Sequence, residues 1–154
     1  MEAGAPGRSA WRWRNLPLPE AHLVGLGAGL IIDAVTHWRL GWPVIARQGI
    51  GWPLIVAGLA VVAWAVLAAG AVDLERPEVL VRSGPFARSR NPMYVGWTLF
   101  YLGVTLVLGA LSPMVFLLAV LVRTCFDVLK EERSLAERFG PEYDAYRASV
   151  RRWL

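Results

Sequence analysis

The chain has 154 residues, of which 56% are hydrophobic and only 18% charged, with a mean hydropathy of +0.44. That length suits one domain, and the apolar excess excludes a disordered chain, a disulfide-stapled secreted domain and a nucleic-acid arm. The net charge of +4 is carried almost wholly by arginine, with Lys130 the one lysine among 16 basic residues. A basic, apolar chain of this kind points to a membrane protein with an Arg-rich cytoplasmic face rather than to DNA binding. The strand–helix alternation that a soluble dinucleotide-binding sheet requires is absent.

Residues 1–19, rich in Arg, Trp and Pro, read as an N-terminal cytoplasmic or interfacial segment, and residues 20–154 as a single membrane-embedded domain. A first span covers 21–40, although His22, Asp33, His37 and Arg39 interrupt it; its polar end sits at an interface or faces the bundle. The apolar run starts too far from the N-terminus for a cleaved signal peptide. Gly25, Gly27 and Gly29 imitate a nucleotide-binding glycine loop without the strand and helix that such a loop needs. Inside an apolar span they serve close helix packing. Asp33 and His37, at i, i+4, are expected to pair near the outer surface. With His22 they make no convincing ligand set, so no metal is expected.

Residues 50–72 carry no charge and meet the ~20-residue requirement for a span, with Pro53 in the first turn. Residues 93–111 are a second uncharged run. A further run, 113–129, is interrupted by Arg123 and Asp127. The four residues Ala110-Leu111-Ser112-Pro113 leave room only for a tight helical hairpin. Cys125, inside the last span, is expected to behave as a buried small hydrophobe. Beyond it, 132–146 is amphipathic, with Leu135, Phe139, Tyr143 and Tyr146 at helical spacing and a break at Gly140-Pro141. The fold expected is therefore all-α: a polytopic membrane protein with four transmembrane helices, including a tight C-terminal hairpin, and a cytoplasmic amphipathic tail. Loop charge sets its orientation. Thirteen basic residues, among them Arg8, Arg12, Arg14 and Arg76, fall on one side, and two, Arg39 and Arg47, on the other. Both termini are then cytoplasmic, in a multi-pass integral membrane protein of the bacterial inner-membrane kind. Trp11, Trp13, Trp38, Trp42, Trp52, Trp97 and Trp153 lie near the predicted ends, as an aromatic belt requires.

Two stretches carry polar chemistry. In 83–97, Gly84-Pro85 is a turn, Pro92 sets the entry to the third span, and Asn91 is a candidate cap. Arg88 and Arg90 either hold an anion at the membrane surface or are ordinary positive-inside arginines beside a helix start. In 123–146, Arg123, Asp127 and Glu131 are spaced i, i+4, i+8 and form one stripe. A charge within a span costs ~2.5–3.5 kcal/mol on insertion scales. Arg123 and Asp127 either neutralise each other or line a polar site that opens to the cytoplasm and is closed by Glu131.

Together these stretches resemble the isoprenylcysteine carboxyl methyltransferase and phospholipid methyltransferase family of membrane enzymes. That family's pattern runs Gly-Pro-Tyr/Phe, Arg-His/Asn-Pro-x-Tyr-x-Gly, a helical hairpin, Glu-Glu, and Phe-Gly-x-x-Tyr-x-x-Tyr. The matching residues are Gly84-Pro85-Phe86, Arg90 through Gly96, Glu131-Glu132, and Phe139 through Tyr146. The resemblance covers roughly 75–150, which it makes the cofactor region. It implies an S-adenosylmethionine-dependent methyltransferase acting on a lipidic or membrane-partitioned small acceptor at the cytoplasmic face. It also implies cofactor positions at Glu78, Val79, Leu80 and Val81, at Phe86, Asn91, Pro92, Met93 and Tyr94, and at Glu131. Asn91 stands where relatives often have His, and an amide cannot act as a base. In the prenylcysteine enzymes an Arg one turn before the Glu-Glu pair orients the substrate carboxylate. Here that position is Asp127, which would repel an anion, so an amine, a thiol or another lipid head group is as plausible an acceptor. The transfer implied is an in-line displacement. Asp127 and Arg123 are then the catalytic candidates, with Asp127 or Glu131 as base. Neither nucleic acid nor metal is an expected partner. The alternatives are an NADPH-dependent membrane reductase of the sterol-reductase type and a non-enzymatic helical protein on the same scaffold. A transporter is disfavoured by the lack of paired broken helices.

Overall fold

The computed structural model describes residues 19–70, 72 and 77–153. The expected interfacial segment, with Arg8, Arg12, Arg14, Trp11 and Trp13, lies outside these residues up to position 18, as does Arg76. Among the described residues there are five α-helices, α1 (Glu20–Thr36), α2 (Val44–Ala69), α3 (Pro92–Leu108), α4 (Ser112–Phe139) and α5 (Pro141–Ser149), with one 3₁₀ turn, Gly84–Ala87. The only strand-like pairings among them are two isolated bridges.

Proline and glycine set most of the boundaries. Pro43 precedes α2, which therefore starts six residues before the expected span. Pro53, expected in a first turn, consequently lies in the helix interior. There it removes the N–H that would reach the carbonyl of Gly49. Pro92 occupies the first turn of α3, and Gly109 ends that helix in the left-handed region at φ 65°. The N–H groups of Gly109 and Ala110 reach back to Leu106 and Thr105 at 3.0 and 3.2 Å, and α4 begins two residues later. The tight hairpin expected from 110–113 is thus present. α4 then runs without interruption to Phe139, so the apolar segment and the first part of the amphipathic one are a single rod. The break falls at Gly140, φ 50°.

Successive long helices run antiparallel and pack as two pairs, α2 with α3 and α1 with α4. Glycine makes the first pair. A Cβ on Gly51 would lie 2.9 Å from the carbonyl of Gly103, and one on Gly58 only 2.5 Å from that of Gly96. The two crossings are seven residues apart on both helices, so the backbones touch along their length. In the second pair a Cβ on Gly29 would meet Pro113 Cα at 2.5 Å, and one on Gly25 would collide with Val120. Gly27 meets nothing within 4 Å. The packing expected of the three glycines therefore belongs to two of them. At the far end from α5, two backbone bonds clasp the loop after α1 to the hairpin: Leu40 N–H to Gly109 O, and Leu111 N–H to Trp38 O, both 2.9 Å.

α2 and α4 are long and apolar enough to cross a membrane, and α3 is a shorter apolar helix. Only 28% and 33% of the most apolar windows of α2 and α4 are buried within the protein, where a core helix of a soluble protein would be mostly enclosed. Ile45, Val56 and Leu67 on α2 and Leu118, Val122 and Phe126 on α4 face outward, a surface suited to lipid rather than water. Two local expectations change. Cys125 turns outward. Asp33 pairs with Arg39 at 2.9 Å, not with His37. His37 is the left-handed C-cap of α1, φ 53°, and its Nδ1 contacts the Val35 carbonyl.

Gly58→Ala should push α2 and α3 apart and lower stability by about 1–3 kcal/mol, while Gly27→Ala should be neutral or gain up to ~1 kcal/mol from helix propensity. Thermal unfolding of the two variants in detergent checks the contrast. Equal melting points would remove the glycine contact from its place in the fold.

Candidate functional site

At the end of the bundle where α1 and α3 begin and α4 leaves its apolar stretch, α1, α3 and α4 diverge. The gap is an open cleft of about 670 Å³, within the range of small-molecule sites. Tyr94, Arg123, Asp127 and Glu131 line it, together with His22, Glu20 and Lys130. Tyr94, in the first turn of α3, donates its hydroxyl to Glu131 Oε1 at 2.7 Å. Arg123 Nε donates to Asp127 Oδ2 at 3.0 Å, with side chains 69% and 31% exposed. The two residues thus pair with each other and also line the cleft. At that exposure the pair itself adds little stability.

Glu131 and Glu132 have separate surroundings because neighbours on a helix point about 100° apart. Glu131 faces the cleft. Glu132 is buried, with Oε1 3.2 Å from Arg90, and both its oxygens accept from Arg152, at 3.0 and 2.8 Å. This triad clamps the C-terminal tail, α4 and the loop before α3 together. Backbone and amide bonds add to it. Arg90 N–H donates to Arg151 O at 2.9 Å, and Asn91 Nδ2 donates to Arg152 O at 3.2 Å. Tyr146 donates its hydroxyl to the Phe86 carbonyl at 2.7 Å. Burial pushes that phenol up to about 12, so it is a neutral donor at physiological pH. The hydrogen bonds from Arg152 to Glu132 raise the guanidinium further above its ordinary value. Arg82 pairs with Glu142 across the same seam.

The positions implied by resemblance divide accordingly. Tyr94 and Glu131 line the cleft with Arg123 and Asp127. Leu80 is buried against Tyr143 and Tyr146, while Glu78 and Val79 are exposed and Val81 half-buried. Phe86 and Met93 pack on Val62, Ala65 and Val66 of α2. Pro92 starts α3. Asn91 stands at the cap position without making the cap bond; its Nδ2 donates to the tail instead. Arg90 is not open to an anion, since Glu132 and Tyr143 engage it. Arg88 lies over the Trp64 ring, 5.7 Å from its centroid, in cation–π range. The residues that sequence reasoning did not bring to the site are His22, Glu20 and Lys130. Only helical phase could have signalled Lys130, one position before Glu131. Nothing local ties the start of α1 to α3.

Residues 46–142 match the phospholipid methyltransferase family, a stretch holding nearly all of α2, the whole of α3 and α4, and the α3 and α4 walls of the cleft. A protein of Haemophilus influenzae described only as uncharacterized is 40% identical over 63 residues, which is 40% of this chain and the whole of that relative.

Removing Glu132 leaves Arg90 buried and uncompensated, a loss of about 3–5 kcal/mol for a broken buried pair. Glu132→Ala should therefore lower the melting point and expose the tail after Gly140 to protease. Glu131→Ala, at the open cleft, should do neither. Limited proteolysis and thermal unfolding of the two variants separate them.

Proposed function

The chain belongs to the phospholipid methyltransferase family, and on that premise we propose that it is an integral-membrane, S-adenosylmethionine-dependent methyltransferase. It acts on a lipidic or membrane-partitioned small acceptor at the cytoplasmic face. It crosses the bilayer four times with both termini cytoplasmic. Two features support that topology. The four long helices alternate in direction, and α1 and α3, about 25 Å each at 1.5 Å per residue, reach the lower limit for a span. Of the described arginines and lysine, only Arg39 and Arg47 lie at the end away from α5 and the cleft, in keeping with a positive inside.

The observation that carries the chemistry is the Tyr94–Glu131 pair in an acid-rich cleft at the basic end of the bundle. Glu20, Asp127 and Glu131 outnumber Arg123 and Lys130 along its walls, which suits a cationic guest. The donor set fits S-adenosylmethionine. Glu131 accepts from hydroxyl or ammonium groups, and the Tyr94 ring offers a face to adenine or to a cation. When bound, that molecule supplies an electrophilic methyl group on sulfonium sulfur. The protein's part is to hold and orient the two reactants and exclude water from between them. Glu131 and Tyr94 hold the donor, and Arg123 and Asp127 form the acceptor side. A carboxylate at 127 disfavours an anionic acceptor there.

Radiolabelled S-adenosylmethionine should bind the purified chain saturably. Glu131→Ala should weaken binding about tenfold, some 1.4 kcal/mol, at an unchanged melting point. No saturable binding, or binding equal in the variant, overturns the reading; saturable NADPH binding in its place favours a reductase. For topology, a cysteine introduced as Ser149→Cys in a Cys125→Ser background should react with a membrane-impermeant maleimide in inverted vesicles and not in intact cells. The reverse pattern would invert the orientation.

A further inference from the structure

His22, in the first turn of α1, lines the cleft and is only 3% exposed. Its ring lies beside those of Tyr94 and Tyr101, with centroids 6.5 and 6.4 Å away. The hydrogen bonds around it decide which nitrogen carries the proton. Nε2 is 3.1 Å from Thr98 Oγ1. The Thr98 hydroxyl has a single hydrogen, and it donates that hydrogen to the Tyr94 backbone carbonyl at 2.8 Å. Thr98 Oγ1 is therefore the acceptor from His22, and Nε2 is the protonated nitrogen. In the neutral ring Nδ1 is left as a bare lone pair, buried and without a hydrogen-bond partner. That is a costly state for a polar atom. Of the two carboxylates of the cleft on α4, Asp127 is engaged by Arg123 and Glu131 by Tyr94.

We propose that His22 Nδ1 accepts a hydrogen bond from the methyl acceptor, and in the transfer step its proton. The acceptor is then an uncharged protic nucleophile, an amine, thiol or alcohol head group. This rests on the methyl-transfer reading of the cleft. A carboxylate has no hydrogen to offer that lone pair and is repelled by it. The step balances. The nucleophile's electron pair forms the new bond to the methyl carbon, and the carbon–sulfur bond breaks with its pair left on sulfur. The proton of the nucleophile passes to Nδ1, and the resulting imidazolium gives it up to water once the product has left the cleft. His22 lies on α1, outside residues 46–142 that match the family.

Two measurements test it. The chain has two histidines, so nitrogen-15 NMR of the full-length His37→Gln protein in detergent reports His22 alone. Nε2 should be protonated and Nδ1 bare; a protonated Nδ1 overturns the proposal whatever the activity. The second uses tritiated S-adenosylmethionine with lipid and aqueous extracts of the native host's cells. His22→Gln keeps an N–H near the Nε2 position but no acceptor at Nδ1. His22→Asn can set an oxygen near Nδ1 but loses the bond to Thr98. Transfer should fall about 100-fold in His22→Gln, with S-adenosylmethionine affinity within about twofold of wild type, and should fall less in His22→Asn. Transfer by His22→Gln within twofold of wild type, with binding intact, overturns the role of His22 alone. Saturable binding by the wild type with no labelled product in either extract also overturns the proposal. Absence of binding by the wild type strikes the methyltransferase reading itself. If His22→Gln does not fold, the nitrogen spectrum decides.

Discussion

The contact between α2 and α3 is made by backbone, and the geometry of the cleft depends on it. Gly51 on Gly103 and Gly58 on Gly96 bring the two helices closer than any side chain would allow. That face of α3 is committed to α2 along its whole length. Tyr94, Thr98 and Tyr101, at i, i+4 and i+7, lie on a different face, and their bonds run to Glu131, His22 and Pro113 of α4 and α1. Because α3 follows α2, it touches α4 through two long side chains, Tyr101 to Pro113 near the hairpin and Tyr94 to Glu131 at the cleft. The helices are apart at the cleft end, where the polar residues gather. Small residues on one face thus create room on another.

The second organising element is the division between Glu131 and Glu132. One faces a solvent-accessible cleft, and its neighbour is sealed between two guanidinium groups. Burying a carboxylate with two arginines is energetically demanding on its own. Here it joins three segments distant in sequence: the loop before α3, the end of α4 and the tail. The buried apolar cluster of Leu80, Tyr143 and Tyr146 excludes water beside them. The floor of the cleft is therefore held by residues that do not line it.

Much of the helical layout was legible in the sequence because its signals are local. Uncharged length marks α2 and α3, Ala110 to Pro113 marks the hairpin, and Gly140-Pro141 marks the break before α5. The Arg123–Asp127 pair followed from spacing on one helix. What could not be read depends on contacts between elements. Periodicity does not say which glycines meet, so Gly51 and Gly58 went unnoticed while Gly27 was grouped with two true contact residues. It does not say which member of a Glu-Glu pair is buried. Asp33 found Arg39 beyond the helix end, because His37 left the helix phase at its left-handed cap. Asn91 had the right type for a cap, but its amide donates to a tail sixty residues later. His22 reaches the cleft only through the packing of α1 on α4.

The continuity of α4 has a mechanical consequence. At 28 residues it is about 42 Å long, well beyond a hydrocarbon core of about 30 Å. It starts in the clasped turn at one end of the bundle and carries Asp127, Glu131 and Glu132 toward the other. Such a rod is a lever whose fulcrum lies far from the chemistry. A tilt of about 5° at Ser112 displaces Glu131, about 28 Å along the rod, by roughly 2.5 Å, close to the length of a hydrogen bond. The setting of Glu131 against Tyr94 thus depends on Trp38, Leu40 and Gly109, residues that take no part in the cleft, as well as on the Glu132 clamp beside it.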